Sequence, residues 1–144
     1  MSQNVTIYDM KTFLKNYPFS LIVIAAIIYL SFFTPPENDM PTIPFMDKIA
    51  HLCMYGGLTT VLWSEYFWCH KKIQWSHLSI GGIFCPIVMS GLIEIGQSTL
   101  TDTRSGEWWD LAANTCGVFL ATLFTYYILR PVIYGYKRRK TRKI

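Results

Sequence analysis

The sequence predicts an all-α polytopic membrane protein with four transmembrane helices in a compact bundle. Three observations carry that expectation. Of the 144 residues, 51% are hydrophobic and 15% charged, and the mean hydropathy of +0.26 is too apolar for an ordinary soluble domain of this size. Four stretches of the chain are long and apolar enough to cross a hydrocarbon core of roughly 30 Å. The basic residues, finally, are segregated between alternate connecting segments rather than spread along the chain.

Residues 1–17 (MSQNVTIYDMKTFLKNY) set Val5, Tyr8, Phe13, Leu14 and Tyr17 among polar groups, which suits a short cytoplasmic segment in the membrane interface. The first span, residues 18–34, carries no charge. Lys11 and Lys15 precede it as they would in a secretory signal, but Ser31-Phe-Phe-Thr offers no small-x-small cleavage pattern, so the segment is expected to stay attached. Residues 35–47 hold four prolines and three acids and read as a loop. The second span, 48–68, opens at Asp47 and aligns Lys48, His51 and Tyr55 by steps of three and four, with Gly56, Gly57, Thr59 and Thr60 allowing a neighbour close. A basic turn at 69–76 leads into the third span, 77–99, where a kink is expected at Pro86. That span ends in Ser90-Gly-Leu-Ile-Glu94-Ile-Gly-Gln97, whose carboxylate and carboxamide share one helix face. The fourth span, 109–129, places Asp110 and Asn114 in its first turns and repeats small residues at Ala113, Gly117 and Ala121. Arg130-Pro131 is expected to close it, leaving 131–144 as a basic cytoplasmic tail. The membrane domain therefore covers residues 18–130.

An even number of spans puts both termini on one face. That face then holds 11 of the 13 lysines and arginines, and the other holds Lys48 and Arg104, which predicts cytoplasmic termini. The tail is expected to grip anionic lipid, and nothing in the basic pattern resembles an aromatic-studded nucleic-acid groove. The cysteines, Cys53, Cys69, Cys85 and Cys116, form no CxxC pair, so no metal and no cofactor is expected.

Asp47, Lys48 and His51 open the second span from outside, Glu94 and Gln97 close the third toward outside, and Asp110 and Asn114 open the fourth. All lie within about two turns of one boundary at a rise of roughly 1.5 Å per residue, with Arg104 in the adjoining loop. Ionisable groups near hydrocarbon are costly, so their convergence at one level points to a site. Each also has a structural use. Glu94 and Gln97 could bond between helices, Asp110 could cap the fourth helix, His51 could be a satisfied interior histidine, and Arg104 could pair with Asp102 or Glu107. Glu65, at the far end of the second span, is expected to take no part in the site.

Asp47-Lys48-x-x-His51-x-x-x-Tyr55, Glu94-x-x-Gln97 and Arg104-x5-Asp110-x3-Asn114-x2-Gly117 together resemble the VanZ-like family of small bacterial membrane proteins. Ala121 stands where a second glycine often follows the last element. The resemblance implies a multi-span membrane protein and, for the founding member, reduced susceptibility to teicoplanin; it supplies no reaction. The expected ligand-binding set is Asp47, Lys48, His51, Tyr55, Glu94, Gln97, Arg104, Asp110 and Asn114, with Glu94 and His51 as candidates for proton transfer. Membrane lipids and an amphiphilic or anionic envelope ligand are the expected partners. A structural or partner-binding membrane module is the alternative, and a small transporter subunit is disfavoured because no charge lies between His51 and Glu65.

Overall fold

The computed structural model describes residues 11–33, 45–100 and 107–142. The first part of the N-terminal segment, most of the proline-rich loop and Arg104 lie outside the described residues. Four long helices follow a short helical stretch at 11–16: α1 (Pro18–Phe32), α2 (Met46–Cys69), α3 (Trp75–Leu100) and α4 (Trp108–Thr141). Among the described residues there is no strand. Two of these helices, α3 and α4, are long and apolar enough to cross a membrane, and α1 is a shorter apolar helix. Helix α2, at 24 residues, has the length but carries Asp47, Lys48 and Glu65.

Burial is inverted relative to a soluble protein. Phe19, Ile22, Leu92, Ile95, Leu123 and Ile128 are exposed, while Ser20, His51, Thr59, Ser90, Glu94, Gln97, Asp110, Asn114 and Thr125 are buried. Water-facing polar groups and an apolar interior would be the soluble solution; an apolar exterior around polar contacts suits hydrocarbon. Two apolar clusters fill the middle and one end of the bundle. Ile27, Tyr55, Leu58, Ile93 and Val118 form the first, and Trp63, Tyr66, Phe67 and Leu78 the second.

Helices α2 and α4 meet backbone to backbone. A Cβ placed on Gly117 would stand 2.3 Å from the Leu52 carbonyl oxygen and 3.1 Å from the Gly56 nitrogen, and one on Gly56 would stand 3.3 Å from the Gly117 oxygen. Gly57 faces open space, so the expected close approach falls on Gly56 alone of that pair. Ala121, four residues further along α4, is also buried.

The helix ends are tied by partners from other helices. Pro18 starts α1 with its fixed φ, yet Tyr17 supplies no side-chain cap. Glu65 of α2 does so instead: its carboxylate accepts the backbone N–H groups of Phe19 at 2.9 Å and Ser20 at 3.1 Å, and the Ser20 hydroxyl. Glu65 thus has a structural role that the sequence did not reveal. At the C-terminus of α2, Lys137 donates to the carbonyls of Phe67 (3.1 Å), Trp68 (2.9 Å) and His70 (3.5 Å), where a cation complements the helix dipole.

Both prolines inside apolar helices sit just beyond a π-helical turn. In α3 the turn is Ile80–Phe84, and the Gly82 carbonyl, near the donor that Pro86 lacks, accepts from the Trp63 indole at 3.3 Å. In α4 the turn is Thr125–Leu129, after which the helix runs on through Pro131 to Thr141. The expected stop at Arg130-Pro131 is therefore corrected: the wider turn absorbs the proline, and most of the basic tail is helical.

Gly117→Leu is expected to lower the thermal stability of the detergent-solubilised protein by about 1–3 kcal/mol, the usual cost of overpacking, because the obstacle is the α2 backbone. A melting curve that matches wild type would show that α2 and α4 do not touch there.

A polar cluster shared by three helices

Three helical stripes deliver the candidate side chains. On α2, Asp47, His51 and Tyr55 follow at steps of four with Lys48 beside them; on α3, Ser90, Glu94 and Gln97; on α4, Asp110, Asn114 and Gly117. The Gly117 contact holds the α2 and α4 stripes face to face, and the α3 stripe closes the third side. Exposure falls along the stripes from Asp47 and Glu107 at the mouth to Tyr55, Ser90 and Asn114 at the floor.

At the mouth, Lys48 Nζ lies 2.6 Å from Asp110 Oδ1, 2.6 Å from Glu107 Oε2 and 3.7 Å from Asp47 Oδ2. Asp110 therefore does not serve as the cap of α4; its carboxylate turns to α2, and the Glu107 carbonyl accepts the Asp110 N–H. Deeper in, His51 Nδ1 is 3.1 Å from Asn114 Oδ1, and Asn114 Nδ2 donates to Ser90 Oγ at 2.6 Å. One hydrogen-bonded chain thus crosses from α2 through α4 to α3. The Tyr55 hydroxyl neighbours Ser90. On the other side of the ring, His51 Nε2 faces Asp110 Oδ2 at 3.8 Å and Asp47 Oδ1 at 3.9 Å.

Glu94 is buried beside this chain. Its Oε1 is 4.0 Å from His51 Nδ1, and neither carboxylate oxygen closes a side-chain hydrogen bond. With only the Glu107 backbone amide facing it, this carboxylate keeps acceptor capacity for a donor brought by a ligand.

The expected residues Asp47, Lys48, His51, Tyr55, Glu94, Asp110 and Asn114 come together. Gln97 is buried and donates to the Ser31 carbonyl of α1 at 2.7 Å, where it helps fix α1 against α3. Arg104 lies outside the described residues. Ser90 and Glu107 were not in the expected set. Helical spacing could have found both, since Ser90 precedes Glu94 by four residues and Glu107 precedes Asp110 by three.

An all-helical chain with an apolar exterior and a polar cluster buried between three helices defines a small helical membrane protein. The VanZ/LLP1 family model matches residues 2–130, and the chain belongs to this VanZ-like family, which is associated in general with glycopeptide resistance. No curated protein and no solved structure matches it.

Removing one side of the mouth network strands the other. Lys48→Met and Asp110→Asn are each expected to destabilise the protein, and the double variant to lose less than their sum, with a coupling of about 0.5–3 kcal/mol by thermal unfolding. Simple additivity would mean that the pair contributes nothing.

Proposed function

We propose that this chain is a four-span protein of the bacterial cytoplasmic membrane, with both termini cytoplasmic, whose cluster binds the polar head of an amphiphilic envelope ligand at the outer leaflet. The ligand class comprises envelope lipids, lipid-linked cell-wall precursors and lipoglycopeptide antibiotics such as teicoplanin. The observation that carries this reading is Glu94, a buried carboxylate with no side-chain hydrogen bond, set beside a histidine at the open end of three helices. The excess of lysine and arginine in the opposite connecting segments supports the orientation.

The ion pairs narrow the chemistry. Lys48 is already held by Asp110 and Glu107, so among the described residues of the cluster no free lysine or arginine awaits a simple anion. Glu94 and the outer carboxylates favour a head that presents hydroxyl or amine donors, as sugars and aminated peptides do. Glu94 and His51 are also the groups placed to move a proton, although no reaction is assigned to them.

A purely structural module is the second reading, favoured by the Ser90–Asn114–His51 chain, which ties three helices together. Transport is disfavoured, because the layer of Ile27, Leu58, Ile93 and Val118 stands between the cluster and the Glu65 end.

Cysteines introduced at positions 38 and 103 are expected to react with impermeant maleimide in intact cells. Reaction only after permeabilisation would reverse the topology. Glu94→Gln and Arg104→Ala are expected to keep the melting temperature while weakening binding of fluorescent teicoplanin or a lipid-linked precursor in nanodiscs by at least about tenfold, or ~1.4 kcal/mol. Lys72→Gln, exposed near the other end, should bind as wild type does. If the Glu94 and Arg104 variants instead unfold, the structural module is the better account.

A further inference from the structure

We propose that Asp47, His51 and Asp110 form a site for one divalent transition-metal cation at the mouth of the cluster. This inference goes beyond the ligand reading and does not depend on it, because it stands on the positions of three atoms. His51 Nε2 lies 3.9 Å from Asp47 Oδ1 and 3.8 Å from Asp110 Oδ2, and one ligand atom of each residue lies within 4.8 Å of the other two. Metal–ligand bonds of about 2.0–2.2 Å place neighbouring donor atoms about 3–3.5 Å apart, so a coordination face forms when the two His51 sides close by about half an ångström and the exposed Asp47 carboxylate swings toward Asp110 by up to about 1.3 Å.

The hydrogen-bond chain orients the imidazole for such a role. Asn114 Nδ2 donates to Ser90, which leaves Asn114 Oδ1 to accept from His51 Nδ1–H. The neutral ring then carries its lone pair on Nε2, on the side of the two aspartates. That is the usual outer-shell arrangement of a metal-bound histidine. Among the described residues Nε2 makes no hydrogen bond: both aspartate oxygens stand beyond that distance, in ion-pair range of a protonated ring.

Lys48 does not fill this position. It contacts Asp110 Oδ1 and Asp47 Oδ2, the opposite oxygen of each carboxylate, and leaves Asp110 Oδ2 and Asp47 Oδ1 toward the ring. Charge points the same way. Asp47, Glu94, Glu107 and Asp110 bring four carboxylates around Lys48 and His51, and Glu94, only 8% exposed, has no side-chain hydrogen bond at either oxygen. Among the described residues this is an excess of negative charge, which a divalent cation would balance. One imidazole with two carboxylates suits Zn²⁺ or Mn²⁺ better than Ca²⁺ or Mg²⁺, which prefer all-oxygen shells.

The test uses the full chain in detergent, with the four cysteines changed to serine to remove competing thiolates and bound metal stripped by chelator. Titration calorimetry with Zn²⁺ and Mn²⁺ is expected to give one saturable site per chain, and saturation to raise the melting temperature. Asp47→Asn should weaken affinity about 10- to 100-fold without changing the metal-free melting temperature, since Asp47 is exposed. His51→Gln, whose amide can still donate to Asn114, should do the same or worse. The site is refuted if neither metal saturates a single site, if Asp47→Asn binds as tightly as its parent, or if nitrogen NMR finds His51 protonated on both ring nitrogens in the presence of metal. That last result would identify an ion-paired imidazolium in place of a ligand.

Discussion

The contact on which the rest of the structure depends is the backbone approach of α2 and α4 at Gly117. With the Leu52 carbonyl only 2.3 Å from where a Cβ would be, the two helices lie too close there for any side chain. His51 and Asn114 lie within a turn of that point, and Lys48 and Asp110 one turn further toward the mouth. Their 3.1 Å and 2.6 Å contacts follow from helix geometry once the glycine contact is made. Without a hydrophobic driving force between helices in lipid, such close packing and the polar contacts it permits are the main sources of association.

How much of this was legible in the sequence depends on whether a residue's partner lies on its own helix or on another. Helical spacing and shared depth placed Asp47, His51, Glu94, Asp110 and Asn114 together, since each stripe can be read from one segment. Spacing could not say where Gln97 would turn, because its acceptor is the Ser31 carbonyl of α1, a backbone atom with no sequence signature. The capping role of Glu65 was unreadable for a related reason: its donors are the amides of Phe19 and Ser20, 46 and 45 residues away. The passage of α4 through Pro131 was hidden as well, because a π-helical turn is a backbone response that no residue type announces.

One end of the bundle solves the same problem twice, with opposite charges. Helix termini leave backbone groups without partners, and hydrocarbon gives them no water. A carboxylate on α2 satisfies the start of α1, and an ammonium on α4 satisfies the end of α2. At the other end the charged groups outnumber what backbone satisfaction needs, and there they gather around His51. That difference separates charge spent on helix ends from charge gathered around one histidine.

The π-helical turn at Ile80–Phe84 also sets the angular phase of α3. Leu78, Gly82, Pro86, Ser90 and Glu94 are all buried at a uniform spacing of four. On an unbroken α-helix that spacing drifts about 40° per step, or about 160° over the four steps, which would swing Glu94 out toward lipid. One extra residue accommodated in a wide turn returns about 100° of that rotation. The turn works as a phase shifter, and the orientation of the carboxylate at one end of α3 is decided by a backbone irregularity about three turns away.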